Sequence, residues 1–366
     1  MTGSEKPGRI ALCYGTRPQV IKASAVRRAL AARHQVVAVD TGQHYDFALN
    51  ELLYQQLGVA PPDCFLGTGS GSHATQTAAV MVRCEALLSE QRPQAVVVIG
   101  DTNSTLGAAL AAAKLRIPVV HVEAGLTATD FLMAEELNRR ATDAIARVLC
   151  TPSARATTRM RAAHPDATVV ETGDVALDVL QAQLDRLPAV AGLRPDGGRP
   201  YVYATLHRAE LTDNVALLRA VLAALSRLKY PVILAMHPRT RAALEASGAT
   251  VESQGRLTIV PAVGYLESLA LAHGATAVVT DSGGVQREAY WLGVPCVTLR
   301  RETEWEETVE AGANRLVAPA EAPELLESRV DDAVAASPWD RSAYGRGDAA
   351  TRIAQATTLL TSGGHG

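Results

Sequence analysis

A hydroxyl and two glycines follow an apolar, strand-like run at residues 277–280 of this 366-residue chain. They are Ser282, Gly283 and Gly284, and a helical pattern begins with them. A helix N-terminus presents unpaired N–H groups and a partial positive charge, and glycine lets a phosphate approach the backbone without meeting a Cβ. The pattern therefore predicts a phosphate site, with Glu288 about one and a half turns further on to take a ribose hydroxyl. A tight turn with glycines for packing is the alternative.

A second strand end carries two cations. After the apolar residues 10–13 comes a Gly-Thr turn, and Arg17 and Lys22 then lie at the start of a helical pattern. Pro18 takes an early helical position, where its missing N–H does no harm. Two cations at a helix N-terminus favour the binding of an anion there. The alternative is two solvated charges on a surface helix.

Carboxylates end two further strand-like runs. Asp101 follows the Val- and Ile-rich residues 95–99, and Glu123 ends the next run. In α/β proteins, the carboxyl ends of parallel strands are where sites are built. Glu135 lies twelve residues after Glu123 on a predicted helix, so both carboxylates can face one cavity. The alternative for the pair Glu135 and Glu136 is an acidic helix start that complements the helix dipole.

Length and composition exclude several classes of protein. The chain is too long for one ordinary core, and a net charge of −3 gives no reason to expect a nucleic-acid partner. No apolar run reaches the roughly 18 residues of a membrane span, and the N-terminus lacks the apolar stretch of a signal peptide. We therefore expect a cytoplasmic protein without a membrane partner. The five cysteines are odd in number and scattered, so we expect no metal site.

Strand-like runs alternate with helical patterns in both halves of the chain. This alternation predicts an α/β fold with two Rossmann-like domains, whose parallel sheets face an interdomain cleft. A stretch rich in Pro, Gly and Arg at residues 187–200 is typical of a linker. We expect domains at residues 1–186 and 199–345, and a helix in 346–366 that crosses back to the first domain. The predicted strands are 10–13, 35–40, 95–99, 119–122, 147–150, 168–171, 201–205, 232–236, 257–260, 277–280, 296–299 and 316–317.

With these residues in view, the chain resembles the non-hydrolysing UDP-N-acetylglucosamine 2-epimerase family, which has the GT-B type of fold. The resemblance covers nearly the whole chain, and its motifs occur in the family's order. They are Gly15-Thr16-Arg17-Pro18 with Lys22, Thr41-Gly42-Gln43-His44, Gly100-Asp101-Thr102, His121-Val122-Glu123-Ala124-Gly125-Leu126, Glu135-Glu136-Leu137-Asn138-Arg139, Thr205-Leu206-His207-Arg208, Met236-His237-Pro238, Thr280-Asp281-Ser282-Gly283-Gly284-Val285-Gln286 and Thr303-Glu304-Trp305.

The resemblance implies a reaction. In the family, anti elimination of UDP with loss of the C2 proton gives a 2-acetamidoglucal, and UDP adds back with C2 inverted, so that UDP-GlcNAc and UDP-ManNAc interconvert. This implies a UDP-sugar substrate, no redox cofactor and a homodimer. Such a reaction needs a base for C2–H, an acid on the opposite face and cations for the leaving diphosphate.

The family motifs also imply a role for each matching residue. Asp101, Glu123 and Glu135 become the acid/base candidates, Lys22 balances charge among them, and His207 takes a catalytic or phosphate-contacting place. The remaining substrate-binding residues implied are Arg17, Ser282, Gly283 and Gly284 for the diphosphate, Glu288 for the ribose, and His237 and Arg139.

The chain departs from the family pattern at several positions. Thr127 stands where relatives usually have arginine, and Ala134 where they have proline. Arg287 replaces the first glutamate of a Gln-Glu-Glu run. In relatives activated by a second UDP-sugar, the Gln-His pair is followed by Met and a further Gln, whereas this chain continues with residues 45–47, Tyr-Asp-Phe. We therefore expect hyperbolic rate curves without an added activator.

Other functions remain open at this level. A hydrolysing relative would use the same elimination and release UDP and free ManNAc, and a modified UDP-HexNAc would suit the change at Thr127. A GT-B glycosyltransferase is an alternative of another class, but it leaves the carboxylates near Glu123 unexplained. A nucleotide-sugar binding protein that has lost its chemistry is the last alternative.

Overall fold

The computed structural model describes residues 8–43, 53–128, 131–189, 199–248, 252–336 and 338–362. By its internal contacts the chain divides into two units, Met1–Ala182 with Ser342–Gly366, and Gln183–Arg341. The C-terminal segment thus belongs with the first unit. Among the described residues, no helix is both long and apolar enough to cross a membrane.

The first unit is built on a seven-stranded sheet in which every pairing is parallel. Its order is β3-β2-β1-β4-β5-β6-β7. The strands are β1 (Arg9–Tyr14), β2 (Gln35–Asp40), β3 (Cys64–Phe65), β4 (Ala95–Ile99), β5 (Val119–Val122), β6 (Val148–Thr151) and β7 (Thr168–Glu171). The helices are α1 (Arg17–Ala31), α2 (His73–Gln91), α3 (Asn103–Lys114), α4 (Ala134–Ile145), α5 (Ala154–Ala163), α6 (Val175–Gln183) and, from the end of the chain, α14 (Ala349–Ser362).

The second unit has a six-stranded parallel sheet of order β10-β9-β8-β11-β12-β13. Its strands are β8 (Val202–Leu206), β9 (Val232–Met236), β10 (Leu257–Val260), β11 (Ala277–Thr280), β12 (Cys296–Thr298) and β13 (Asn314–Leu316). Its helices are α7 (Ala209–Thr212), α8 (Val215–Arg227), α9 (Pro238–Ala246), α10 (Tyr265–His273), α11 (Gly283–Leu292), α12 (Glu306–Glu310) and α13 (Ala322–Val334), preceded by a 3₁₀ helix at Leu184–Ala189.

Burial explains why these runs form central strands. Every residue of β4, β5, β9 and β11 is buried. A strand covered on both faces gains from continuous Val and Ile, and helices on both faces supply the cover. The strand order reverses between β1 and β4 in the first unit and between β8 and β11 in the second. In doubly wound sheets, ligands bind at the carboxyl ends of strands beside such a reversal.

The predicted α/β class with two parallel sheets is confirmed, and the sequence missed one strand. That strand is β3, which has two residues and pairs with Val39 and Asp40. Several predicted bounds were off by one or two residues, as for β6, which ends at Thr151. Most of the predicted linker, residues 190–198, lies outside the described residues.

Candidate active site

Several candidate residues follow the strands that flank each reversal of strand order. In the first unit, Arg17 and Lys22 lie on α1 after β1, and Asp101 follows β4. In the second unit, His207 follows β8 and Ser282 follows β11. The candidates therefore form two groups, one in each unit, and each is described separately.

Lys22 and Glu123 form a buried ion pair. Lys22 Nζ lies 2.5 Å from Glu123 Oε2, and solvent reaches 12% and 6% of the two side chains. Glu123 has a φ of 68°, a left-handed conformation that is uncommon outside glycine and occurs most often at functional sites. A Cβ at Gly100 would lie 3.3 Å from Glu123 Oε2. Glycine at position 100 therefore lets this carboxylate approach the end of β4.

Asp101 has an ion pair with Arg139 and keeps 30% of its side chain exposed. Burial raises the pKa of the Asp101 carboxyl above its ordinary value, and the nearby Glu123 adds to this rise. The cations of Arg139 and Lys22 oppose it. Asp101 and Glu123 are thus close enough to influence each other, and their surroundings differ. Unequal surroundings are what separate the acid from the base in a pair of carboxylates.

Helix α4 brings a second carboxylate to the same arginine. Arg139 Nη1 donates to Glu136 Oε2 at 2.5 Å, and Arg140 Nε donates to Glu136 Oε1 at 2.6 Å. Glu136 is fully buried, whereas the neighbouring Glu135 is exposed. Adjacent helical residues do not face the same way, so the exposed Glu135 is the one of the pair that a ligand can reach. The guanidinium of Arg139 is only 5% exposed and lies on protein carboxylates, so its role in substrate binding stays a prediction.

Two buried side chains outside the predicted set hold the backbone of this group. Gln19 Oε1 accepts from the amides of Gly15 and Thr16 at 2.9 and 3.2 Å, and its Nε2 donates to the carbonyl of Ile99 at 2.6 Å. The second is His121, whose Nε2 lies 2.8 Å from the carbonyl oxygen of Gly100 and whose Nδ1 lies 2.7 Å from Asp143 Oδ1. Arg17 is half-buried at the start of α1. Residues 45–47, where the sequence departs from the activator-binding pattern, lie outside the described residues.

In the second unit, His207 is anchored by Asp281. Its Nδ1 lies 3.0 Å from Asp281 Oδ1, and the amides of His207 and Arg208 both donate to Asp281 Oδ2 at 2.8 Å. Burial works against ionisation of Asp281, but these hydrogen bonds and the imidazole lower its pKa below the ordinary value. The carboxylate therefore stays ionised and leaves Nε2 as the ring nitrogen directed away from it. The His237 ring lies 5.0 Å from that of His207.

The glycines at the start of α11 have no structural explanation within the fold. Ser282 is the N-cap and accepts from the amide of Val285 at 3.5 Å. Neither Gly283 nor Gly284 has a positive φ. A Cβ at Gly283 would come no closer than 3.5 Å to another residue, Trp305, and one at Gly284 no closer than 3.8 Å to Ser282. These distances disfavour the packing alternative and show that the space beside the helix N-terminus is open.

Side chains around α11 form a polar network that the sequence did not predict. Glu304 lies 2.7 Å from Arg300 and 3.9 Å from Arg208. Although burial opposes ionisation of Glu304, the two arginines lower its pKa. The guanidinium of Arg287 stacks on Trp305 at 3.8 Å. Glu288 is half-buried on the same helix.

Within the described ranges, no group of three or more His, Cys, Asp or Glu side chains is arranged to hold a metal ion. The chemistry that these residues offer is proton transfer in the first unit and anion binding in the second.

Comparison with known proteins places this arrangement in a family. The family model described as UDP-N-acetylglucosamine 2-epimerase matches residues 28–358. The UDP-2,3-diacetamido-2,3-dideoxy-D-glucuronate 2-epimerase of Pseudomonas aeruginosa is 39% identical over 355 residues, covering 95% of this chain and 98% of that protein. The UDP-N-acetylglucosamine 2-epimerase of Methanococcus maripaludis is 37% identical over 320 residues, covering 84% and 87%.

A solved structure agrees with these relatives. The crystal structure of Methanocaldococcus jannaschii UDP-GlcNAc 2-epimerase, in complex with UDP-GlcNAc and UDP, superposes with a TM-score of 0.85 at 35% identity. It covers 97% of this chain and 99% of its own. The chain therefore belongs to the UDP-N-acetylglucosamine 2-epimerase family, whose members are isomerases that act on UDP-sugars.

Proposed function

We propose that the protein interconverts UDP-GlcNAc and UDP-ManNAc by anti elimination of UDP and re-addition through a 2-acetamidoglucal. The observation that carries this proposal is the pair Asp101 and Glu123, two carboxylates in unlike surroundings at neighbouring strand ends. Inversion at C2 needs one group that removes the proton and another that returns one to the opposite face.

The surroundings of the two carboxylates suggest their roles. The ammonium of Lys22, at 2.5 Å, favours the charged form of Glu123 and suits it to act as the base. Burial favours the protonated form of Asp101 and suits it to act as the acid. Glu135, exposed on α4, is a third candidate for proton transfer.

The departing diphosphate needs positive charge and N–H donors. Helix α11 offers its N-terminus at Ser282, Gly283 and Gly284, where no Cβ obstructs the approach. His207, with Nδ1 facing Asp281, offers an Nε2–H donor to the diphosphate when both ring nitrogens carry a proton. We assign Arg17 and His207 to the diphosphate and Glu288 to the ribose, with His237 near the nucleotide.

A second substrate has a specific observation in its favour. The relative from Pseudomonas aeruginosa that matches 95% of this chain is named for UDP-2,3-diacetamido-2,3-dideoxy-D-glucuronate. Thr127, half-buried after Glu123, stands where relatives of this family usually carry arginine. The smaller residue would leave room for a substituent at C3 of the sugar.

One experiment separates these functions. The protein is incubated in D₂O with UDP-GlcNAc or with the diacetamido uronate, and the products are followed by NMR. Deuterium at C2 in a gluco/manno mixture supports epimerisation, and the sugar that exchanges faster is the preferred substrate. Free UDP with a free sugar would instead indicate hydrolysis. No exchange with either sugar, while UDP binds normally, would contradict the proposed function. Asp101→Asn serves as the inactive control.

A further inference from the structure

A histidine and an aspartate beneath the carboxylates form a buried pair that the proposed chemistry does not use. His121 lies on β5 with no exposed side-chain surface. Its Nδ1 is 2.7 Å from Asp143 Oδ1 on α4, and its Nε2 is 2.8 Å from the carbonyl oxygen of Gly100. Both ring nitrogens therefore point at hydrogen-bond acceptors.

Two protons on the ring satisfy both of these contacts. A neutral imidazole has one N–H and would direct its lone pair at one of the two acceptors, whereas an imidazolium donates to both. The other carboxylate oxygen of Asp143, Oδ2, accepts from the amide of Gly125 at 3.3 Å, so both oxygens are engaged. Burial opposes the charge on His121, and Arg139 opposes it further, but Asp143 and the Gly100 carbonyl raise the pKa of His121 above the ordinary value.

The carbonyl that His121 holds belongs to the peptide bond between Gly100 and Asp101. Gly100 has a φ of 68°, so the chain turns sharply just before the acid/base candidate. One residue earlier, Gln19 Nε2 donates to the Ile99 carbonyl at 2.6 Å. Two buried side chains thus hold two consecutive carbonyls on the segment that leads to Asp101.

The same pair also joins this segment to α4. Asp143 lies one turn after Arg139, and Arg139 contacts the Asp101 carboxylate directly. Asn138 Nδ2 donates to the Asp101 carbonyl at 3.0 Å. The bond between His121 and Asp143 therefore links the backbone of Asp101 to the helix that holds its side chain.

We propose that His121, as an imidazolium held by Asp143, is a positioning residue that orients the Gly100 peptide and with it the Asp101 carboxyl. The proposal rests on the proposed function, because it takes Asp101 as an acid/base group. His121 acts through Asp101 and not on the sugar.

A set of three variants tests this. His121→Gln keeps a donor for the Gly100 carbonyl but turns its amide oxygen toward Asp143. Asp143→Asn leaves one acceptor oxygen for two donors, Nδ1 of His121 and the amide of Gly125. The double variant His121→Gln/Asp143→Asn restores both bonds without charge, because the new amide at position 143 can donate to the glutamine oxygen. We expect each single variant to lower kcat roughly 10²-fold, as small misplacements of catalytic groups do, with KM and UDP affinity within about twofold. The double variant should recover at least tenfold.

A matched control separates positioning from stability. His34, at the amino edge of the same sheet, is also buried and bonds Thr358 through Nε2 at 2.9 Å. His34→Gln makes the same replacement away from Asp101, so it should lower the thermal midpoint without changing kcat. Single variants at His121 and Asp143 with wild-type kcat, or a double variant no better than the worse single one, would overturn the proposal.

Nitrogen NMR of the histidine rings gives a readout that needs no substrate and no activity. In wild-type protein labelled at histidine, one ring should keep both nitrogens protonated to higher pH than the other histidines, and His121→Gln should remove that signal. A wild type in which every ring becomes neutral together would overturn the proposal. A wild type without C2 exchange would count against the proposed function alone, since the ring signal is measured independently.

Discussion

Asp281 lies 3.0 Å from the ring Nδ1 of His207 through Oδ1, and its Oδ2 accepts hydrogen bonds from the amides of His207 and Arg208 at 2.8 Å. The carboxylate fixes both the backbone and the ring orientation of a residue proposed to contact the diphosphate. Contact of His207 with the diphosphate should therefore depend on Asp281, which itself has no assigned contact with the ligand.

We predict that Asp281→Asn weakens UDP binding and turnover together. An asparagine can keep one acceptor oxygen for the two backbone amides, but its uncharged NH2 then faces the His207 ring, so the ionic contact with Nδ1 is lost. Hydrogen bonds to a charged group contribute about 1.5–3 kcal/mol, roughly a tenfold to hundredfold change. Calorimetric titration with UDP measures the affinity. An unchanged affinity with an unchanged kcat would show that His207 does not depend on Asp281.

The carboxylates of the first unit should contribute by transferring a proton, and not by the shape of their side chains. We predict that Asp101→Asn and Glu123→Gln each lower kcat by about 10²–10⁴-fold, because amides keep the shape but cannot transfer the proton. UDP affinity should stay within a few-fold of wild type. Deuterium incorporation at C2 in D₂O measures the chemical step, and near-normal incorporation in either variant would contradict its assigned role.

The sequence predicted the strand ends that carry the candidate residues, because buried parallel strands leave a clear pattern. The run of Val and Ile at β4 followed by Gly100 and Asp101 is an example, and the structure places Asp101 where that pattern does. The two-residue strand β3 escaped prediction because alternation cannot be recognised over two residues.

The supporting contacts could not be predicted in the same way. His121 lies in an apolar run, where a single histidine is typical of a core position, and its partner Asp143 is 22 residues away. Arg139 followed the family motif as a substrate-binding residue, but charge alone does not tell which carboxylate a guanidinium will meet. Which residues Asp143 and Arg139 contact depends on where α4 packs against the sheet, and tertiary packing decides this.

Opposite pKa shifts predict opposite pH effects on stability. The pKa of Asp101 is raised, so wild type should lose stability relative to Asp101→Asn as the pH rises above the ordinary aspartate value of about 3.9. The pKa of Asp281 is lowered, so wild type should lose its advantage over Asp281→Asn as the pH falls below that value. Thermal midpoints of both variants and of wild type across the acidic range measure this. Parallel curves for the two variants would contradict the shifts.

Gly284, at the start of α11, should lower the stability of the folded protein and favour UDP binding. We predict that Gly284→Ala leaves the thermal midpoint unchanged or raises the stability by up to about 1 kcal/mol, because alanine is the better helix former and has space. UDP affinity should fall, since the new Cβ obstructs the helix N-terminus. Gly107→Ala is the matched control, because its Cβ would lie 2.7 Å from Val80 in the core. It should lower stability without changing UDP affinity. Equal UDP affinity in Gly284→Ala and wild type would remove α11 from the diphosphate.

Thr127 offers a test of which sugar the site prefers. The neighbouring Ala128 amide donates to Glu136 at 2.9 Å, so the backbone beside position 127 is anchored. We predict that Thr127→Arg raises kcat/KM for UDP-GlcNAc relative to the 3-acetamido uronate by roughly tenfold or more. The added guanidinium supplies a charge-assisted hydrogen bond worth about 1.5–3 kcal/mol and occupies the space beside C3. Thr127→Gln, which adds length without charge, separates the two causes. If Thr127→Arg lowers turnover of both sugars equally, position 127 does not set substrate preference, and the absence of the usual arginine has another origin.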